Sequence, residues 1–278
     1  MSAQTDDTYA LGRTTEEEQR LQDQSRLLAP ATRNLFSAAG IGPGMKVLDL
    51  GSGAGDVAML VAEMVGPAGQ VIGVDVNPTI LQTATRRARA AGHTNITFVL
   101  GDIREIPLGN DFDAVVGRLI LMYFRDPSAV LRHLLPHLRP GGVAAFYEID
   151  YTVQPSAAYP PSALSDQIAR WVPQAMAFAG VETVMGMKLH QAFRDAGLDA
   201  PQIAVNALMG GSHTFVEDFT AWAVESTRSL LPLLIKGGIA TEEEVGIETL
   251  ATRWRDELLM QGSVIRGPLF MGAWARKA

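Results

Sequence analysis

VLDLGSGAGD, running from Val47 to Asp56, joins a short apolar run to a glycine-rich turn and the first residue of a helix. Val47, Leu48 and Leu50 suit a central parallel strand, which is buried on both faces and therefore apolar at successive positions. Gly51, Gly53 and Gly55 let the backbone turn tightly and approach a ligand more closely than a side chain would allow. Asp49 interrupts the apolar run with a carboxylate. An acid at a strand end needs a partner, so it either accepts from nearby backbone N–H groups or holds a polar, cationic ligand.

Working downstream, Asp56 to Val65 reads as a helix whose free N-terminal N–H groups face the turn and favour a carboxylate or phosphate there. Val71 to Val76 is a second strand carrying Asp75, after which Asn77 supplies an N-cap and Pro78 the first position of a helix to about Ala91. Ile96 to Leu100 is the third strand, ending in Gly101 and Asp102, and Phe112 to Val116 the fourth, ending in Gly117 and Arg118. A helix from Pro127 to Leu138 leads through Pro140, Gly141 and Gly142 into a fifth strand, Val143 to Ile149. This alternation predicts an α/β fold with a doubly wound, mostly parallel sheet. Ligands in such sheets sit beyond the carboxyl ends of the strands. Asp49 with Gly51, Asp75, Asp102, Arg118 and Glu148 should therefore converge on one crevice.

Upstream, the first eight residues are expected to be mobile. Thr14 or Thr15, followed three residues later by Glu17 or Glu18, offers a capping box for a helix to about Leu28, with Leu21, Gln24 and Leu28 on one face. Pro30 should end it, a second helix should reach Ala39, and Gly40 to Gly44 should connect to the first strand. Beyond Asp150, Tyr151 to Pro161 reads as a connection. Helices follow at Ser162 to Ala179, with Pro173 as a kink, and at Met187 to Ala196, then a strand from Gln202 to Met209. Val216 to Leu258 should hold two helices, broken by Pro232 and by Gly237 with Gly238 and restarted by a Thr241 to Glu244 capping box. Leu269 to Ala275 is a last strand.

The chain has 278 residues, 47% of them hydrophobic, enough to bury the core of a single domain spanning 1–278. A formal net charge of -7 gives no general attraction to nucleic acid or to an anionic membrane, and favours a small-molecule partner. The absence of cysteine excludes disulfides, thiolate metal sites and cysteine nucleophiles, and no metal is expected. The polar, acidic start and the lack of a long apolar run fit a cytoplasmic protein.

Spacing separates the two cofactor classes that use such a cradle. A dinucleotide fingerprint requires GxGxxG, but its third glycine position is here Asp56, and no Tyr-x-x-x-Lys pair follows the fourth strand. Asp49 two residues before the first glycine, the GxGxG spacing, Asp75 ending the second strand and Gly101 with Asp102 after the third form an ordered set. This set resembles the class I S-adenosylmethionine-dependent methyltransferase family, closely over Met45 to Ile149, and PLFMGAWARK near the C-terminus is similar to small-molecule members. The resemblance implies a seven-stranded sheet with S-adenosyl-L-methionine as cofactor and S-adenosyl-L-homocysteine as product. It places Gly51, Ser52, Gly53 and Gly55 along the methionine and ribose portions, with Asp49 near the cofactor's amino end. Asp75 would accept from both ribose hydroxyls, flanked by Val76 and Asn77. Asp102 would take the adenine amino group, with Ile103 against the ring. Arg118 departs from the family, which commonly places a short residue there whose carbonyl meets the amino group. Structural alternatives stand beside each: Asp75 capping the next helix, Asp102 as a turn residue, and Arg118 paired with Asp49, Glu148 or Asp150.

Methyl transfer from a sulfonium is an in-line displacement, so positioning carries much of the acceleration. A base is needed only where the acceptor is protonated, and His213 in the GGSHTF turn, Tyr123 and Glu148 are the candidates, His190 reading as structural. The acceptor pocket should come from a helical cap of about 14–28, 162–179 and 216–258. There Trp171, Phe178, Phe215, Phe219 and Trp222 suit a flat, hydrophobic acceptor, an aromatic or natural-product-like metabolite or a quinone precursor. Met122, Met185, Met187 and Met209 read as core filler before a substrate cage. Arsenic methylation resembles this fold but relies on thiolates, which are lacking. An NAD(P)-dependent oxidoreductase and a non-catalytic S-adenosylmethionine-binding protein are the competing readings. Apolar surface on the cap helices could support a homodimer.

Overall fold

The computed structural model describes residues 15–152 and 158–278, and for 15–26 the backbone alone. The expected mobility of the first eight residues, the Thr14 or Thr15 capping box and the facing of Leu21 and Gln24 fall outside what is described. In chain order the elements begin with α1 (Thr15–Ala38), β1 (Lys46–Leu50), α2 (Asp56–Val65), β2 (Gln70–Asp75), α3 (Pro78–Ala90) and β3 (Ile96–Leu100). They continue with β4 (Phe112–Arg118), α4 (Pro127–Leu134), β5 (Leu138–Asp150), β6 (Ala158–Tyr159), α5 (Ala163–Phe178) and α6 (Met185–Asp195). The last are β7 (Gln202–Gly210), α7 (His213–Lys236), α8 (Glu242–Val245), α9 (Ile247–Gln261) and β8 (Val264–Arg276).

The chain forms two compact units. The first takes in residues 21–149, 185–206 and 270–278. Its strands lie in the order β3-β2-β1-β4-β5, each neighbouring pair parallel, with β8 beyond β5. Val47, Leu48, Val71, Ala114, Val115, Val116 and Val143 are fully buried, as an apolar run covered on both faces requires. Each such side chain contributes roughly 1.5–3 kcal/mol on leaving water. α2 buries Val57, Ala58, Leu60, Val61, Ala62 and Val65 and leaves Glu63 exposed to pair with Arg33.

Three expectations are corrected here. Pro30 does not end a helix: α1 runs through it to Ala38. A proline removes one backbone donor, and buried Leu28, Leu35 and Phe36 on either side hold the turn in place. The helix after Asp126 stops at Leu134, followed by a 3-10 turn Leu135–His137, and β5 already starts at Leu138. Gly141 and Gly142 join a strand rather than a turn because the Lys277 backbone pairs with both, accepting from Gly141 at 2.9 Å and donating to Gly142 at 2.8 Å.

The second unit holds, among the described residues, 15–20, 150–184 and 207–269. β6, an eighth strand absent from the sequence reading, pairs antiparallel with the start of β8, and β8 begins at Val264 rather than Leu269. α7 passes through Pro232 and ends at Lys236, the flanking Leu230 and Leu234 being buried. The Thr241 and Glu244 capping box forms as expected but serves the single turn α8, after which Gly246, at φ 52, redirects the chain into α9. Phe219 packs edge-on against Trp222 and Trp254, at centroid distances of 5.7 and 5.9 Å, so these rings and Trp171 form a core rather than an open aromatic wall. Met122 and Met185 are core, as expected, whereas Met187 and Met209 are exposed.

The indole N–H of Trp254 donates to Ser165 Oγ at 2.7 Å, and Ser165 Oγ donates to Ser162 Oγ at 2.8 Å, all buried. Ser165→Ala leaves that N–H without an acceptor. It is expected to lower the unfolding free energy by about 1–3 kcal/mol, whereas Trp254→Phe added to it should cost little further hydrogen bonding. Urea unfolding of the two variants and their combination measures the coupling. No helix among the described residues is long and apolar enough to cross a membrane.

Candidate cofactor site

The three glycines after β1 do different jobs. All have positive φ: 65° at Gly51, 50° at Gly53 and 85° at Gly55. A Cβ at Gly51 would lie 2.4 Å from Ile120 Cδ1, and one at Gly55 2.9 Å from the Phe98 ring. These two glycines are required by the packing of the protein itself. A Cβ at Gly53 would meet nothing nearer than the Gly51 carbonyl at 4.0 Å. Gly53 is therefore the one of these three glycines with open space beside its backbone, a distinction that spacing alone cannot make.

Asp75, at the end of β2, ties the glycine turn to the start of α3. Its Oδ2 accepts from Gly53 N and its Oδ1 from Asn77 N, both at 2.9 Å. Capping of α3 falls to Asn77, whose Oδ1 accepts from Thr79 N and Ile80 N, so Asp75 is not the cap. A carboxylate has about four lone-pair sites, so these amides leave acceptor capacity for a further donor. Burial raises its pKa, opposed by the amide bonds. Val76 beside it is 68% exposed, an unusual position for a large apolar side chain without a ligand. Asp102 follows β3 and is held by Arg104, whose Nε and Nη2 approach it at 2.9 and 2.5 Å, and the hydrogen bond to Arg104 holds its pKa down. Ile103 is buried next to it.

Asp49 is 1% exposed and neither of its oxygens has a hydrogen-bond partner, nor does the buried Ser52 hydroxyl. Desolvation raises the pKa of Asp49 well above the usual range, against the nearby Arg118 charge and a smaller pull from the Ala58 amide, which falls short of hydrogen-bond geometry. Arg118 makes no ion pair with Asp49, Glu148 or Asp150. Its Nη1 instead donates to Thr32 Oγ1 of α1 at 3.3 Å. Burial lowers its pKa, with Asp56 and then Asp49 acting the other way. The strand ends thus bring Asp49, Ser52, Gly53, Asp75, Asp102 and Arg118 into one unit, as the doubly wound topology requires.

The candidate bases separate. Glu148 is fully buried, and its Oε1 accepts from Ile120 N at 3.0 Å and Leu121 N at 2.8 Å. Desolvation pushes it up to about 7. It lies under the turn after β4 and presses Ile120 onto Gly51, a positioning role rather than an open one. Tyr123 ends the 3-10 turn Leu121–Tyr123 in the same unit. His213 is not in a turn: it is the first residue of α7, exposed, with Nδ1 3.2 Å from Glu217 Oε2, and belongs to the second unit. Thr32 and Ile120 were not legible as site residues, since each acts through a neighbour distant in sequence, and Arg104, only two residues from Asp102, was passed over. Among the described residues no three His, Asp or Glu side chains gather as a metal site.

A parallel sheet with a glycine turn after its first strand and acids at the ends of the first three defines a nucleotide-type cofactor protein. A protein-family model described as a methyltransferase domain matches residues 41–197. The chain belongs to that family, the class I S-adenosylmethionine-dependent methyltransferases. An arsenite methyltransferase of Halobacterium salinarum is 31% identical over 186 residues, covering 66% of this chain and 44% of that protein. A 2-phytyl-1,4-naphtoquinone methyltransferase of Synechococcus elongatus is 40% identical over 115 residues, 41% of this chain and 49% of that one. The chain thus spans about half the length of the curated relatives it matches. The solved YcgJ protein of Bacillus subtilis shares the fold, with a TM-score of 0.57 at 18% identity over 89% of this chain and 99% of that one. The residues present fit the family's cofactor: open backbone at Gly53, a carboxylate at Asp75 tied to that glycine, and buried, unpartnered oxygens on Asp49 and Ser52.

Proposed function

We propose that this protein transfers the methyl group of S-adenosylmethionine to a small aromatic acceptor, a phenol or quinol type of metabolite, in the cytoplasm. The observation that carries the reading is the buried, unpartnered Asp49 near an Asp75 that is tied to the open glycine, Gly53. When bound, the cofactor supplies an electrophilic methyl on sulfur, which leaves with its electron pair as the neutral thioether. The chain's part is to orient and to exclude water. Asp75 holds the ribose end through paired acceptor sites, while Gly53 admits the ligand backbone-close. Ile120, fixed by Glu148, closes the turn beside Gly51. Tyr123, in the turn after β4, is the side chain we assign to orient an acceptor hydroxyl.

The aromatic class is favoured by the naphtoquinone methyltransferase relative. The arsenite relative is a poorer guide, since a chain without cysteine has no thiolate to hold arsenic. The acidic balance disfavours nucleic acid.

The test is transfer of a labelled methyl group from S-adenosylmethionine to a panel of phenols, catechols, quinols, indoles, amines and arsenite. Label in a phenol or quinol is expected. Label in arsenite or amines alone would overturn the acceptor class. The glycine turn gives a second test. Gly51→Ala is expected to destabilise by about 1–3 kcal/mol through its clash with Ile120. Gly53→Ala should lose only the roughly 1–2 kcal/mol of left-handed backbone, yet bind the cofactor about tenfold or more weakly. Thermal unfolding and calorimetric titration of the same two variants separate the effects.

A further inference from the structure

Arg87 of α3, Arg104 after β3 and Arg118 at the end of β4 have different partners. Arg87 is taken by Asp56 at 2.6 Å and by the Ala54 carbonyl at 2.7 Å, and Arg104 by Asp102 at 2.5 Å. Among the described residues Arg118, alone of the three, has no carboxylate within ion-pair reach; one of its five N–H donors goes to Thr32 Oγ1 at 3.3 Å. Strand register says where it lies. Asp49 is opposite Val116, and Arg118 opposite Tyr147. Paired residues of a parallel ladder share a face and alternate residues repeat it, so Asp49, Val116, Arg118 and Tyr147 all project from one side of the sheet. Asp49 and Arg118 therefore stand on adjoining strands, on the same face, with opposite charge, and with no salt bridge between them. Asp49 is almost fully buried and unpartnered at both oxygens.

Keeping a carboxylate and a guanidinium side by side in a crevice without joining them is costly unless a ligand joins them instead. A ligand that does so carries an ammonium and a carboxylate on one carbon, as the amino-acid head of a methionine does. We propose that Arg118 binds the carboxylate of the methionine portion of S-adenosylmethionine, with Asp49 supplying the opposite charge on the ammonium side and Thr32 acting as the positioning residue for Arg118. This rests on the cofactor reading above and assigns the end of the cofactor that Asp75 and Asp102 leave unaccounted for. Thr32 suits the positioning role. Its fully buried hydroxyl donates to the Leu28 carbonyl at 2.8 Å, so its lone pairs face Arg118 and α1 aims the guanidinium from outside the sheet.

The probes are S-adenosylmethionine and its decarboxylated form, which keeps the sulfonium, adenosine and amine and lacks only the carboxylate. Both are titrated calorimetrically into wild type, Arg118→Met and Thr32→Val, with circular dichroism of each variant as the check on folding. Wild type is expected to prefer the carboxylate-bearing form by about 10- to 100-fold, the range of a charge-assisted, bidentate contact. Arg118→Met should reduce that preference to about threefold or less, and Thr32→Val should reduce it partway. Because the ratio is read within one variant, general damage to the site cancels. Wild type that binds both forms equally, or an Arg118→Met protein that keeps the full preference, overturns the assignment. If Arg118→Met fails to fold, Thr32→Val with an undiminished ratio overturns the positioning and an intermediate ratio supports it. Binding of neither form by wild type would instead defeat the cofactor reading itself.

Discussion

Asp75→Ala is expected to weaken S-adenosylmethionine binding by about 100-fold or more. The carboxylate would accept two ribose hydroxyls, and each hydrogen bond to a charged group is worth about 1.5–3 kcal/mol. The same carboxylate also fixes Gly53 N and Asn77 N, so its removal loosens the one glycine of the turn after β1 that faces open space. Asp75→Asn keeps one acceptor oxygen and should lose roughly tenfold. The affinity of S-adenosylhomocysteine, measured by calorimetry for both variants, checks the ranking. Equal losses in the two would mean that the site responds to charge alone and not to the paired acceptors.

Glu148→Ala is expected to lower stability by about 3–5 kcal/mol. It removes a fully buried side chain and leaves Ile120 N and Leu121 N without their acceptor, adding a cavity to two unpaired donors. Leu119, immediately before them, sits at φ 56, so this turn relies on its anchors. Glu148→Gln retains an acceptor oxygen and should cost far less. The pH dependence follows from burial. Glu148 rises from 4.5 to about 7 in the folded protein, so the native state holds a proton that the unfolded chain releases in between. Its contribution is full below pH 4.5 and is lost as pH rises through about 7, a difference of about 3 kcal/mol. Asp49 and Asp75, also raised, act in the same direction. Urea unfolding at pH 5 and pH 8 should therefore show wild type losing more stability over this interval than Glu148→Gln. Equal losses would remove Glu148 as the source.

Local pattern carried much of the fold. β3 and α2 have the bounds their apolar runs suggest, and Asn77 with Pro78 starts α3 as cap and first residue, because each of these signals is spent within a few residues. Where tertiary packing outweighed local preference the reading failed. Pro30 and Pro232 sit inside helices whose neighbours are buried, and Gly141 and Gly142 are drawn into a strand by the Lys277 backbone, more than a hundred residues away in sequence. The acids at the strand ends were legible because topology alone gathers them. The division of labour among the glycines was not, since it depends on Ile120 and Phe98 as neighbours. Nor was Thr32 behind Arg118, because a hydroxyl on a distant helix leaves no mark in spacing. His213 looked mobile among glycines and threonine, but Ser212 caps α7 by accepting from Phe215 N and draws the histidine into the helix.

The central claim is that the cradle after β1 holds S-adenosylmethionine rather than a dinucleotide. Calorimetric titration of S-adenosylmethionine, S-adenosylhomocysteine and NADH into the purified protein tests it most directly. Binding of the two sulfur compounds at micromolar concentrations with no heat from NADH is the expected result. Tight NADH binding without either sulfur compound would contradict it and return the glycine turn to the oxidoreductase reading.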